Sequence, residues 1–200
     1  PRHEHYYEAL LEQVLPVIKA CGGRCFFLFT SHRALNKVAL LMSSKLEFPL
    51  LVQGQESKSI LLARFRQLGN AVLLGTATFW EGVDVKGEAL SCVIIDKLPF
   101  SSPADPVMRG KMAYIRGQGL SDFDELSLPN AVLALKQGVG RLIRDEADRG
   151  VLVIADPRLT GRAYGKTIFA SLPEVSRTRE LEKVLVFIEE LSLKNETVSN

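Results

Sequence analysis

Two hundred residues, 46% of them hydrophobic and 24% charged, supply enough apolar side chains for one globular domain with a sizeable core and exclude a disordered tail. A net charge of +2 is too small to hold nucleic acid by bulk attraction, so any such binding has to come from local placement of Lys and Arg. Cys21, Cys25 and Cys92 are odd in number and show neither a CxxC pair nor a matching histidine spacing. That usage argues against a metal site or a disulfide framework and suggests a reduced, cytoplasmic compartment. No run of roughly 18 apolar residues occurs, so no membrane span is expected. The opening PRHEHYYEAL has charges and no small-residue cleavage pattern, so no secretory signal is expected either, and the abrupt start is that of an excised piece.

In chain order, Tyr6, Tyr7, Leu10, Leu11, Val14, Leu15 and Ile18 recur at helical spacing, and Gly22-Gly23 stop that helix before the buried strand CFFLF at 25–29. Ser31 is a good N-cap for a second helix through Leu35, Val38, Leu41 and Met42, and LLV at 50–52 is a short strand after Pro49. An amphipathic helix over 57–68 precedes strands at 71–75 (AVLLG) and 92–96 (CVIID). Further helices are expected to begin near Pro103 and Pro129, each proline suited to a first turn. A fifth strand, VLVIA at 151–155, leads to helices near 162–171 and 177–191, and the polar tail 192–200 is expected to fray. Short, continuously apolar strands separated by helices predict an α/β fold, an open parallel sheet with helices on both faces, forming one domain over 1–200 without internal repeats.

The string QGVGRLIR at 137–144 is the most informative in the chain. At about 100° per residue, Gln137, Arg141 and Arg144 fall within roughly 60° of one another on a helix. Val132, Leu135, Val139, Leu142 and Ile143 cluster on the opposite side. One face is core and the other a row of anion-directed donors, as in half of an ATP site. Amphipathic helices commonly expose arginines, so the stripe by itself favours a solvated face.

Ligands of open parallel sheets bind beyond the carboxyl ends of the strands, which directs attention to the segments after Phe29, Leu74, Asp96 and Ala155. One of them, TATFWEGVDVKG at 76–87, crowds Thr76, Thr78, Trp80, Glu81, Asp84 and two glycines into one loop. Hydroxyls and backbone N–H groups suit phosphates, an aromatic ring suits a stacked base, and a carboxylate suits a ribose hydroxyl. The plainer alternative is that Trp80 plugs the core edge and the glycines only turn the chain. Thr30 and Ser31 suit a helix cap before they suit a phosphate, and His32 has no recognisable nucleophile or carboxylate nearby to make it a catalytic base.

Two motif-like strings do not qualify. Gly165-Lys166-Thr167 ends like a P-loop, yet GxxxxGK[ST] requires glycine at position 160, where Thr160 stands. Asp145-Glu146-Ala147-Asp148 has Walker B letters, but the preceding residues have helical period and include Arg144, whereas a Mg²⁺-binding carboxylate ends an apolar strand. The chain lacks a phosphate cradle of its own, and no GxGxxG follows the first strand to suggest a dinucleotide enzyme.

CFFLFTSH (25–32), LLGTATFWEGVDVKG (73–87) and QGVGRLIRDEADRG (137–150), in that order, resemble motifs IV, V and VI of superfamily 2 helicases. The likeness is strongest to the bacterial DinG and YoaA branch related to eukaryotic XPD, with YoaA-like members favoured, and it covers most of 5–190, including DPR at 156 and YGK at 164. It implies the second RecA-like motor domain of an ATP-dependent 5′ to 3′ DNA helicase acting in repair and replication. Within it, Arg141 and Arg144 match the motif VI arginines, one of them an arginine finger on the ATP γ-phosphate. Gln137 would place the nucleophilic water or couple the site to motif V; Gly82, Asp84 and Glu81 would lie near the nucleotide. Thr76, Thr78 and Trp80 would meet single-stranded DNA, as would Thr30, Ser31, Gln53 and Gly54 through its backbone. ATP with Mg²⁺ would be shared with a first RecA-like domain holding the P-loop, the DEAH box and an iron–sulfur cluster, none of which falls in these residues. The resemblance further implies, as partners, single-stranded DNA, that first domain and a replisome subunit such as the clamp-loader chi subunit. A non-catalytic interaction module that docks a replication or repair partner is the alternative; its candidate helix, Arg177 to Leu191, has an apolar stripe better suited to covering the domain's own sheet.

Overall fold

The computed structural model describes residues 5–76, 79, 89–101, 105–143 and 148–198, the side chains of Arg141 and 194–198 excepted. Its elements run α1 Tyr6–Ala20, β1 Cys25–Phe29, α2 His32–Met42, β2 Leu50–Val52, α3 Lys58–Leu68, β3 Val72–Thr76 and β4 Cys92–Ile95. They continue with α4 Pro106–Gly117, a π-helical turn Phe123–Ser127, α5 Leu128–Leu142, β5 Val151–Ile154, α6 Arg158–Gly161, α7 Tyr164–Ser171 and α8 Leu181–Val198.

The five strands form one sheet in the order β2-β3-β1-β4-β5, and every pairing is parallel. Alternation along the strands divides the core in two. Cys25, Phe27, Phe29, Val72, Leu74, Cys92 and Ile94 face the layer of α1, α2 and α8. Phe26, Leu28, Leu73, Val93 and Ile95 face the layer of α3, α5 and α7. Both faces are therefore covered, which is why the strands are apolar at every position rather than at every second one.

Local chemistry sets the boundaries. Ser31 and Ser57 cap α2 and α3 through their hydroxyls, and Asp105 caps α4 with its carboxylate on the N–H groups of Val107 and Met108. The fourth helix thus begins at Pro106 and not near Pro103, which lies outside the described residues. Gly23 ends the first helix region at φ +75, where a Cβ would stand 2.0 Å from the backbone oxygen of Asn70. In place of one helix near 162–171 there are two, α6 and α7, broken at the extended Arg162. The last helix occupies Leu181–Val198 instead of 177–191, so the polar tail is helical for most of its length. Its stripe residues Leu181, Val184 and Ile188 join the layer that holds α1, and the helix packs on α1 more than on the sheet itself.

Candidate nucleotide and nucleic-acid interfaces

The chain leaves β1 towards β2 on one side and leaves β4 towards β5 on the other, so the topology switches direction between β1 and β4. At the carboxyl ends of those strands sits Asp96, fully buried. One carboxylate oxygen accepts the backbone N–H of Thr30 at 3.1 Å, and the other lies 3.5 Å from the Lys97 ammonium and 3.5 Å from the Tyr7 hydroxyl. Burial pushes the Asp96 carboxyl above the ordinary carboxylate range, and Lys97 and the Thr30 N–H pull against that rise. Lys97 also donates to the Tyr7 hydroxyl and stands over the rings of Tyr6 and Tyr7, 5.2 and 4.8 Å from their centroids. The Tyr6 hydroxyl lies 2.6 Å from the carbonyl oxygen of Asp96 and 2.9 Å from that of Ala155, bridging the ends of β4 and β5.

A second carboxylate follows β5. Asp156 accepts the N–H of Leu98 at 2.9 Å and that of Arg158 at 2.9 Å, and it forms a two-pronged ion pair with the Arg158 guanidinium. Burial tends to raise its pKa, but Arg158 and the two backbone donors outweigh burial and hold the carboxyl below its usual range. Arg158 in turn lies over the ring of Phe100, at 5.3 Å, in a cluster of Phe100, Phe123 and Tyr164.

Along the same edge, towards β2, the side-chain carbonyl of Gln53 accepts both the backbone N–H of Thr76, at 2.6 Å, and its hydroxyl, at 3.1 Å. Thr76 is buried, whereas Thr30 and Ser31 are exposed beside it on the next strand end. Ser31 is engaged as the cap of α2, accepting the N–H of Ala34 at 3.2 Å. Thr30, Ser31, Gln53 and Thr76 are therefore gathered at the carboxyl ends of the neighbouring strands β1, β2 and β3.

The helix that carries residues 137–142 of QGVGRLIR ends at the other end of the sheet. That helix, α5, buries Leu135, Val139 and Leu142 and exposes Gln137, in agreement with the helical projection. Leu142, the last helical residue, packs on Gly150 next to the Ser91 carbonyl, at the amino ends of β4 and β5. Ile143 is already extended, at φ −119 and ψ 110, so the helical stripe reaches Arg141 but stops short of position 144. Arg144 lies outside the described residues, as do Thr78, Trp80, Glu81, Gly82 and Asp84. The segment that carries those last five joins Thr76, at the carboxyl edge, to Leu90 and Ser91, at the amino edge.

The P-loop-like string Gly165-Lys166-Thr167 lies inside α7, where Gly165 is pressed against the carbonyl of Leu159. Such a position holds no phosphate-cradling loop. The three cysteines, far apart in sequence, meet in the core. Cys25 and Cys92 are register partners on β1 and β4, Cys21 hydrogen-bonds Cys92, and all three are free thiols. Among the described residues no group of His, Cys, Asp and Glu is placed to hold a metal ion. Nor is any described helix long and apolar enough to cross a membrane.

The sheet of five parallel strands covered on both faces is a RecA-like α/β fold, and solved helicases share it. An XPD helicase matches with a TM-score of 0.66 at 21% identity, over 86% of this chain and 31% of that one. A second XPD structure gives 0.62 at 22% identity, over 82% and 33%. Residues 14–175 match the family model described as the helicase C-terminal domain, and the chain belongs to that family. It is 51% identical over 179 residues to the ATP-dependent DNA helicase YoaA of Escherichia coli (strain K12). It is 36% identical over 182 residues to the ATP-dependent helicase DinG of Mycobacterium tuberculosis (strain ATCC 25177 / H37Ra). These alignments cover 90% and 91% of the chain but only 28% and 27% of the relatives' own length.

Proposed function

We propose that this chain is the second motor domain of an ATP-dependent 5′ to 3′ DNA helicase of the YoaA and DinG type, acting in DNA repair and replication. One observation carries the reading: the QGVGRLIR helix ends at the amino edge of the sheet, Thr30 and Ser31 stand at the carboxyl edge, and residues 77–89 covalently join Thr76 at the carboxyl edge to Leu90 near the amino edge. A motor needs that separation, with nucleotide at one edge, the strand at the other and a connection that lets each respond to the other. Arg141 or Arg144 serves as arginine finger on ATP bound, with Mg²⁺, at the P-loop of a first RecA-like domain, and Gln137 helps place the attacking water. Neutralising the transition-state charge in this way contributes about 10³ to 10⁵ in rate. Glu81, Gly82 and Asp84 serve the nucleotide, as their match to motif V implies. Thr30, Ser31, Thr78 and Trp80 meet the strand, the hydroxyls on phosphates and the indole on a base.

In the full-length protein, Arg144→Ala is expected to abolish DNA-stimulated ATP hydrolysis while sparing most ATP binding. Unchanged turnover removes Arg144 from the site. The 200-residue chain alone should show essentially no ATPase, and robust turnover by it overturns the assignment of the phosphate cradle to another domain.

A docking role is compatible with this one and has its own observation. While α8 buries Ile188, it leaves Val186 53% and Phe187 40% exposed. Replacing both by serine should weaken capture of a replication or repair partner without altering DNA-stimulated turnover, and retained capture discounts that face.

A further inference from the structure

We infer that Gln53 is a positioning residue, which aims the segment after β3 by holding Thr76 and does not itself touch the DNA strand. The inference rests on the reading of the carboxyl edge as the strand-binding side. The backbone N–H of Gln53 donates to the carbonyl of Leu74 at 2.9 Å, so the β2–β3 ladder continues one residue past Val52. From there the side chain folds across the end of the neighbouring strand. Its single carbonyl oxygen accepts the Thr76 N–H at 2.6 Å and the Thr76 hydroxyl at 3.1 Å, which uses both of its lone pairs. Immediately afterwards the chain turns away at Gly54, whose φ of +101 lies where residues with a Cβ seldom go.

Thr76 is the last residue of β3 and is only 7% exposed, so water cannot replace Gln53 as acceptor for its N–H without opening the strand end. It is also the last residue before the segment 77–88, so its anchoring fixes the point from which that segment starts. A glutamine that gripped a DNA phosphate would use its amide N–H groups as donors. The work seen here falls on the carbonyl oxygen, and it is directed inward at a neighbouring strand.

The two roles separate under substitution. Gln53→Glu keeps an oxygen for both Thr76 donors, removes the amide donors and adds a negative charge that a phosphate contact could not tolerate. Gln53→Leu removes the acceptor at similar volume. The test is ATP hydrolysis by the full-length protein titrated with oligo(dT), with thermal unfolding recorded for each variant. Gln53→Leu is expected to raise the apparent KM for oligo(dT) about fivefold to tenfold, the size of one or two lost hydrogen bonds, with kcat at saturating DNA falling less than about twofold. Gln53→Glu should return KM to within about twofold of the parent. Thr76→Val, which keeps the N–H bond and loses only the hydroxyl, should show a partial rise of about twofold to threefold, and its effect should not add to that of Gln53→Leu. If Gln53→Leu does not fold, Thr76→Val and Gln53→Glu still decide. A parental KM in Thr76→Val and Gln53→Leu, or a Gln53→Glu variant as impaired as Gln53→Leu, overturns the inference. If oligo(dT) does not stimulate the unaltered protein at all, the DNA-binding reading of this edge falls first, and the Gln53 role falls with it.

Discussion

The buried carboxylate of Asp96 holds the backbone N–H of Thr30 at 3.1 Å across 66 residues of sequence, so the loop after β4 and the loop after β1 share one anchor. An asparagine at 96 keeps an oxygen for that N–H and drops the buried charge. Because burial raises the folded pKa of Asp96 above its ordinary 3.8, the folded state holds the proton more tightly than the unfolded one. The native protein therefore loses stability as pH rises from about 3.8 through the raised value. Relative to the parent, Asp96→Asn should gain on the order of 1 kcal/mol between pH 4 and pH 7, measured by urea unfolding at both. A relative stability that falls over that interval would mean that Lys97 holds Asp96 as a strongly favourable ion pair.

Asp156 has the opposite sign. Arg158 and the N–H groups of Leu98 and Arg158 hold its carboxyl below 3.8, so it stabilises the fold above that pH and loses the contribution as pH falls through its lowered value. Asp156→Ala leaves the buried Leu98 N–H without its acceptor and should cost about 2 kcal/mol at pH 7. The deficit should shrink in acid below about pH 4, and a deficit independent of pH counts against the ion pair.

Cys21, Cys25 and Cys92 should be inert in the native protein. Their side chains are at most 2% exposed, and the hydrogen bond to Cys92, followed by burial, pushes the Cys21 thiol far above its ordinary range. The Cys21 contact alone pulls Cys92 down, but its bond to Cys25 and full burial prevail and raise it as well. Titration with a chromogenic disulfide should find no thiol in buffer and all three in denaturant. One fast-reacting thiol under native conditions contradicts this packing.

Gly165 tests the α6–α7 junction. A Cβ there would stand 1.8 Å from the carbonyl oxygen of Leu159, which is backbone and cannot swing aside. Gly165→Ala should destabilise the fold by about 2 to 3 kcal/mol in equilibrium unfolding. A cost below about 0.5 kcal/mol shows that the two helices slide apart freely.

All five strands are legible in the sequence because each is a short apolar run between polar segments, and burial on both faces removes any ambiguity of alternation. The end of α5 is not. Leu142 and Ile143 keep the helical period of apolar residues, yet Leu142 is seated on Gly150 and the backbone is extended from Ile143. The polar tail misleads in the other direction, since its Leu, Lys and Glu are good helix formers despite their exposure. The pair Asp96 and Asp156 is not legible as a site in the sequence, because their partners lie up to 66 residues away. The one local trace was a carboxylate directly after a buried strand, at 96, and again after VLVIA, at 156.

The Tyr6 hydroxyl, set between the carbonyls of Asp96 and Ala155, gives the sheet a mechanical load path. Tension applied along the backbone at the first turn of α1 would reach the tips of β4 and β5 through this oxygen and, beside it, through the Tyr7 hydroxyl on Asp96 and Lys97. Through Asp96 the same pull reaches Thr30. Tyr6→Phe would remove one of those two links, the one to the backbone carbonyls, while leaving the ring in place.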